Sequence, residues 1–104
     1  MIYPDICTVW LKSTEERKAT WERVVYRKCR LEPTYGADSG IDGDTSLRSA
    51  DLLIKCHEQP LNKGDKVLGG LHVAEIPPKE ALTVQTVAPV RFGAYPDHWE
   101  MTLS

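Results

Sequence analysis

The chain has no apolar run near the roughly 20 residues that cross a bilayer as a helix, so no such span is expected. Met1 leads straight into Ile2-Tyr3-Pro4 without the charged and apolar regions of a signal peptide, and the expectation is a protein that works inside a cell. Basic charge is not in excess either. The formal net charge is -2, whereas a dedicated nucleic-acid binder neutralises phosphates with a basic surface. There is no C-x-x-C pair. The three cysteines, Cys7, Cys29 and Cys56, are odd in number and far apart, which reads as free, half-buried thiols and not as a disulfide framework or a zinc site. No glycine-rich phosphate cradle, no carboxylate dyad and no internal repeat occurs. These absences remove most enzymes and cofactor proteins, and the expectation is a non-enzymatic chain with no cofactor and no metal.

What remains is ordinary in amount and distinctive in order. At 104 residues, 41% hydrophobic and 27% charged, the chain has the size and composition of one globular domain. A domain of this size buries about 65% of its unfolded surface, enough for a modest core. Apolar residues alternate at a period of two and do not recur at helical spacing, so the fold class is all-β: a small antiparallel barrel or sandwich of about six strands.

The organising stretch is Asn62 to Ile76, NKGDKVLGGLHVAEI. Gly64 permits positive φ, and Asn62 and Asp65 can bond their own backbone, so a turn is predicted there. Val67 and Leu68 begin an apolar segment that Gly69-Gly70 interrupts, which predicts a bent strand running on through Leu71, Val73 and Ile76 to the stop at Pro77-Pro78. Earlier in the chain, Asp5 to Lys12 reads as the first strand and Ser13 to Lys18 as a hairpin loop. Ala19 to Leu31 reads as the second strand, with Trp21, Val25, Cys29 and Leu31 on one parity. Pro33 to Ser49 has three glycines and three aspartates and reads as a long, flexible loop between the second and third strands. Ala50 to His57 resumes as a strand, Leu82 to Val90 is another, with Leu82, Val84 and Thr86 on one face, and His98 to Leu103 alternates with Trp99, Met101 and Leu103 inward and His98, Glu100 and Thr102 outward.

Several chemistries can be weighed against plainer readings. Cys56 and His57 are neighbours on a strand and point to opposite faces, so they do not make a nucleophile and its base. Asp38, Asp42 and Asp44 lack the spacing and the closing glutamate of a calcium loop, which leaves a solvated acidic loop. Arg23, Arg27, Lys28 and Arg30 make the second strand the most basic part of the chain, and these four are the candidate interface residues.

Tyr3 to Val9, then Thr20 to Val25, then the turn Lys63 to Gly70, then Phe92-Gly93 and His98-Trp99-Glu100-Met101, taken in that order, resemble small minor capsid or head-tail connector proteins encoded in phages and prophages of Gram-positive bacteria. More loosely, the chain is similar to the head-closure (stopper) proteins of long-tailed phages. It departs from them in the length and acidity of Pro33 to Ser49 and in lacking an evident N-terminal helix. The resemblance implies a small β-barrel that forms a ring with copies of itself, usually of six, touching a portal or adaptor protein above and a tail protein below. It implies a virion protein, present in the bacterial cytoplasm when expressed from a prophage, with no membrane and no sequence-specific nucleic acid. A loop between the second and third strands of such proteins faces packaged DNA. The matching segment runs from Tyr35 to Arg48, with Tyr35, Asp38, Asp42, Asp44 and Arg48 as channel-loop candidates. The rival reading is a small intracellular module of SH3-like or OB-like form, with Tyr35, Tyr95 and Trp99 facing a ligand.

Overall fold

The computed structural model describes residues 2–15, 18–37 and 45–104. Six antiparallel strands close into a barrel: β1 (Asp5–Glu15), β2 (Lys18–Ala37), β3 (Thr45–Ile54), β4 (Lys66–Gly69), β5 (Leu82–Arg91) and β6 (Pro96–Leu103), in the order β1-β2-β3-β6-β5-β4. The all-β barrel expected from the alternation is present, and no helix occurs among the described residues. Cys7, Val9, Leu52, Ile54, Val67, Val84, Met101 and Leu103 line the interior, and Leu61, from the β3–β4 connection, fills it from one side.

β2 sets the shape. Twenty residues at a rise of about 3.3 Å would make a straight strand of roughly 63 Å, longer than the molecule's greatest extent of 51 Å. The strand must curve, and a bulge marks where it does. Cys7 pairs with Tyr26 and Asp5 with Cys29, so β2 carries one extra residue between those pairs. Before the bulge Tyr26 faces the core; after it Cys29 and Leu31 do. Trp21 and Val25, expected on the same face as Cys29, lie on the other side, because the extra residue reverses the alternation. At the same place β2 exchanges partners, from β1 to β3.

The predicted turn at Asn62 to Asp65 is present. Gly64 has φ 99°, the Asp65 N–H donates to Asn62 O at 3.1 Å, and the Asn62 N–H donates to Asp65 Oδ2 at 2.8 Å. The other carboxylate oxygen, Oδ1, accepts from the Lys12 N–H at 2.8 Å, so this buried side chain also ties the turn to β1. The bent strand beyond it is not present as expected. β4 ends after four residues, and Gly70, with φ 89°, directs the chain out of the ladder. Residues 70–76 instead cross the outer wall of β1 as a strap. Thr8 Oγ1 donates to Gly70 O at 2.8 Å and accepts from the His72 N–H at 3.0 Å. Trp10 Nε1–H donates to Ala74 O at 2.9 Å. Gly69 itself must be small, since a Cβ there would come within 2.9 Å of Leu31 Cδ2.

β5 also departs from the simple alternation. Val84 pairs with Leu103 but Thr86 with Thr102, so an extra residue turns Thr86 outward, where its hydroxyl bonds that of Thr102 at 2.6 Å. Val87 takes over the inward role.

Candidate functional site

The long loop expected over Pro33 to Ser49 is largely strand. Pro33 pairs with Ala50, Thr34 with Ser49, Tyr35 with Leu47, Gly36 with Ser46 and Ala37 with Thr45. β1 stops pairing with β2 at Cys29, and β6 stops pairing with β3 at Ala50. Residues 34–37 and 45–49 therefore pair only with each other, as a two-stranded arm extending past the barrel. A radius of gyration of 14.6 Å, against about 13 Å for a compact chain of this length, agrees with such an extension. Of the channel-loop candidates, Tyr35 lies in β2 and Arg48 is the unpaired extra residue of a bulge in β3. Asp38, Asp42 and Asp44 lie outside the described residues, in the segment that joins the arm's two strands.

The four basic candidates do not gather into one patch. Arg23 Nη1–H donates to His72 O at 3.0 Å and holds the strap. Arg27 and Lys28 are exposed beside the β2 bulge. Arg30 pairs with Glu32 at 2.6 Å. The outer wall past Arg30 is acidic: Glu32 stands opposite Asp51, and Leu53 opposite Glu100, around a shallow depression of about 380 Å³ that Met101 and Thr102 complete. Among the described residues no group of three or more His, Cys, Asp and Glu side chains converges as a metal site.

A second cluster lies where β3 ends. Lys28, Lys55, Cys56, His57 and Asp97 surround a depression of about 330 Å³, and the His57 ring stacks on Tyr95 at 5.8 Å and 18°. Tyr95 is exposed, whereas Trp99 is buried in the barrel. The aromatic face required by the rival reading therefore loses Trp99, and the side chain of Tyr35 is outside the described set. The Cys56 thiol donates to Glu58 O at 3.1 Å, and burial pushes its pKa up, with Glu58 adding to the shift.

His98 is the one misplaced member of the last strand. By alternation it faces outward, as expected, yet it is 4% exposed. The Tyr3 ring packs beside it at 6.3 Å, and Nδ1 meets Asp97 Oδ2 at 3.0 Å. That hydrogen bond is the main cause holding the Asp97 carboxyl below its usual pKa range. Facing outward and facing water are different conditions here, and Tyr3 of the N-terminal segment helps make them so.

The strap leaves its own apolar side uncovered: Leu71 is 57%, Val73 82% and Ile76 69% exposed. No signal in the sequence separated these three from core residues, because they carry the alternation of a strand. That Cys7 and Cys29, both fully buried, face one core was likewise hidden by their distance along the chain. Comparison with known proteins finds no matching family model, no matching curated protein and no matching solved structure.

Proposed function

We propose that the chain is a structural subunit at the head-tail junction of a phage or prophage particle, a head-closure or connector protein that acts through ring assembly and protein contacts and carries out no catalysis. The observation that supports this reading best is the arm. A small closed barrel bearing a two-stranded extension, with an acidic segment (residues 38–44) joining its strands, suits a subunit that packs by its barrel and presents a loop to passing DNA. Acidic residues there would keep phosphates from sticking. The exposed apolar residues of the strap, Leu71, Val73 and Ile76, provide surface for neighbours in a particle.

The test is replacement of residues 38–44 by a Gly-Ser linker of equal length, in the cell that makes the particles. The barrel should keep its melting temperature within a few degrees, since loop closure depends weakly on composition. Particles should incorporate the variant and then lose DNA. Particles of normal composition that never contain the chain would end the proposal. So would particles that contain the variant and retain DNA and infectivity unchanged, which would favour the rival binding module, with its exposed His57–Tyr95 stack as the place to look.

A further inference from the structure

We propose that Cys7 and Cys29 form a latent cross-strand dithiol, a modification site that takes up a disulfide by exchange with a small disulfide and thereby pins β1 to β2. The inference does not depend on the head-tail reading. It starts from position. The β2 bulge brings Cys29 to the inward face beside β1, three residues past Cys7's own partner Tyr26 and opposite Asp5. The Cys29 thiol lies against the same short piece of backbone, donating to Asp5 O at 3.3 Å and reaching Tyr26 O at 3.7 Å. Both sulfurs belong to one buried cluster.

The two thiols face the same interior from paired strands, and their interaction separates their acidities. The neighbouring Cys29 thiol and burial together push Cys7 well above the usual thiol range, and the Cys7 thiol draws Cys29 below it. Cys29 is therefore the member that gives up its proton first. Both thiols are fully buried, so the reaction requires a local opening at this end of the barrel. A groove of about 390 Å³, lined by Pro4, Asp5, Ile6, Leu31, Gly69 and Gly70 among others, opens over this end of the barrel, and Gly69 is the β4 partner of Cys7.

The chemistry balances without a further reagent. The Cys29 thiolate attacks one sulfur of the small disulfide, breaking its S–S bond, forming a mixed disulfide and releasing one small thiol. Cys7 then loses its proton and attacks the Cys29 sulfur, forming the Cys7–Cys29 bond and releasing the second small thiol. Two protein thiols are oxidised, one small disulfide is reduced to two thiols, and the protein loses two hydrogens.

The experiment uses the full chain with Cys56→Ser, which removes the third thiol, and oxidised glutathione as the probe, under conditions where the protein is folded. The expected product has lost two hydrogens and carries no glutathione. Neither Cys7 nor Cys29 should then be alkylated on unfolding, and the melting temperature should rise by roughly 5–15 °C, since a loop of about twenty residues is closed. Reduction by dithiothreitol should restore the parent. Adding Cys7→Ser should stop the reaction at a stable glutathione adduct on Cys29. If Cys56→Ser does not fold, non-reducing peptide mapping of the parent chain reads the same bond. Stable adducts with Cys7 present, closure only at the rate of global unfolding, or an oxidised form that melts lower would each overturn the proposal.

Discussion

Trp10 and Trp99 are buried by opposite means. Trp99 faces the interior, between β3 and β5, and keeps 9% of its surface exposed. Trp10 faces outward from β1 and is fully buried, because the strap crosses it and accepts its indole N–H through Ala74 O. One tryptophan belongs to the closed wall; the other belongs to a covering laid on that wall afterwards. Burial in this molecule therefore reports two structures, and only the first follows from strand alternation.

The comparison can be broken in order of effect. Trp99→Ala should cost about 3–5 kcal/mol and weaken the whole barrel, with one denaturation transition shifted and amide exchange raised throughout. Trp10→Ala should cost a similar or slightly smaller amount, about 3 kcal/mol, and its exchange increase should concentrate in residues 70–76. Identical exchange patterns in the two variants would erase the distinction between wall and covering. Next in size, Asp65→Ala should cost about 2–3 kcal/mol, because it leaves the Lys12 and Asn62 N–H groups without their acceptor. Chemical denaturation reads it, and a loss below about 1 kcal/mol would mean the carboxylate is not what ties the turn to β1.

His98→Ala tests the other covered outer position. A solvent-facing histidine would cost almost nothing. One that is buried and bonded to Asp97 should cost about 1–2 kcal/mol by the same measurement. The smallest effect is expected at Val73→Ser, within about 0.5 kcal/mol, since the side chain is exposed on the strap's outer side. A larger loss there would show that the strap's apolar side is packed against the protein itself.

Much of the barrel was legible because Trp99, Met101, Leu103, Leu52 and Ile54 keep strict alternation, and because Gly64 with Asn62 and Asp65 spells a turn whose bonds are local. The errors share a cause. Trp21 and Val25 were grouped with Cys29, and Thr86 with Leu82 and Val84, because a period of two has no means of registering one extra residue. The bulges in β2 and β5 each reverse the face of everything that follows. The strap was hidden for a related reason: Leu71, Val73 and Ile76 alternate as a strand does, and only the positive φ of Gly70 removes them from the sheet. The arm was missed because Pro33 to Ser49 is poor in apolar residues. Its strands pair only with each other and need no apolar face for a core. The candidate interface was read as one basic strand, whereas Arg23 and Arg30 are spent on His72 O and Glu32.

The shortness of β4 has a kinetic consequence. The β1–β2 and β5–β6 hairpins join neighbours in the chain, but β4 joins β1 by pairing Gly69 with Cys7 and meets β5 through two residue pairs. Closing that seam spans some sixty residues and returns few contacts, so the entropy of closure is met late in folding. We expect an open sheet to collapse first and the ring of strands to shut after the rate-limiting barrier. Val67→Ala should then accelerate unfolding and leave the folding rate nearly unchanged in stopped-flow measurements. A slowed folding limb would place the seam among the first contacts made.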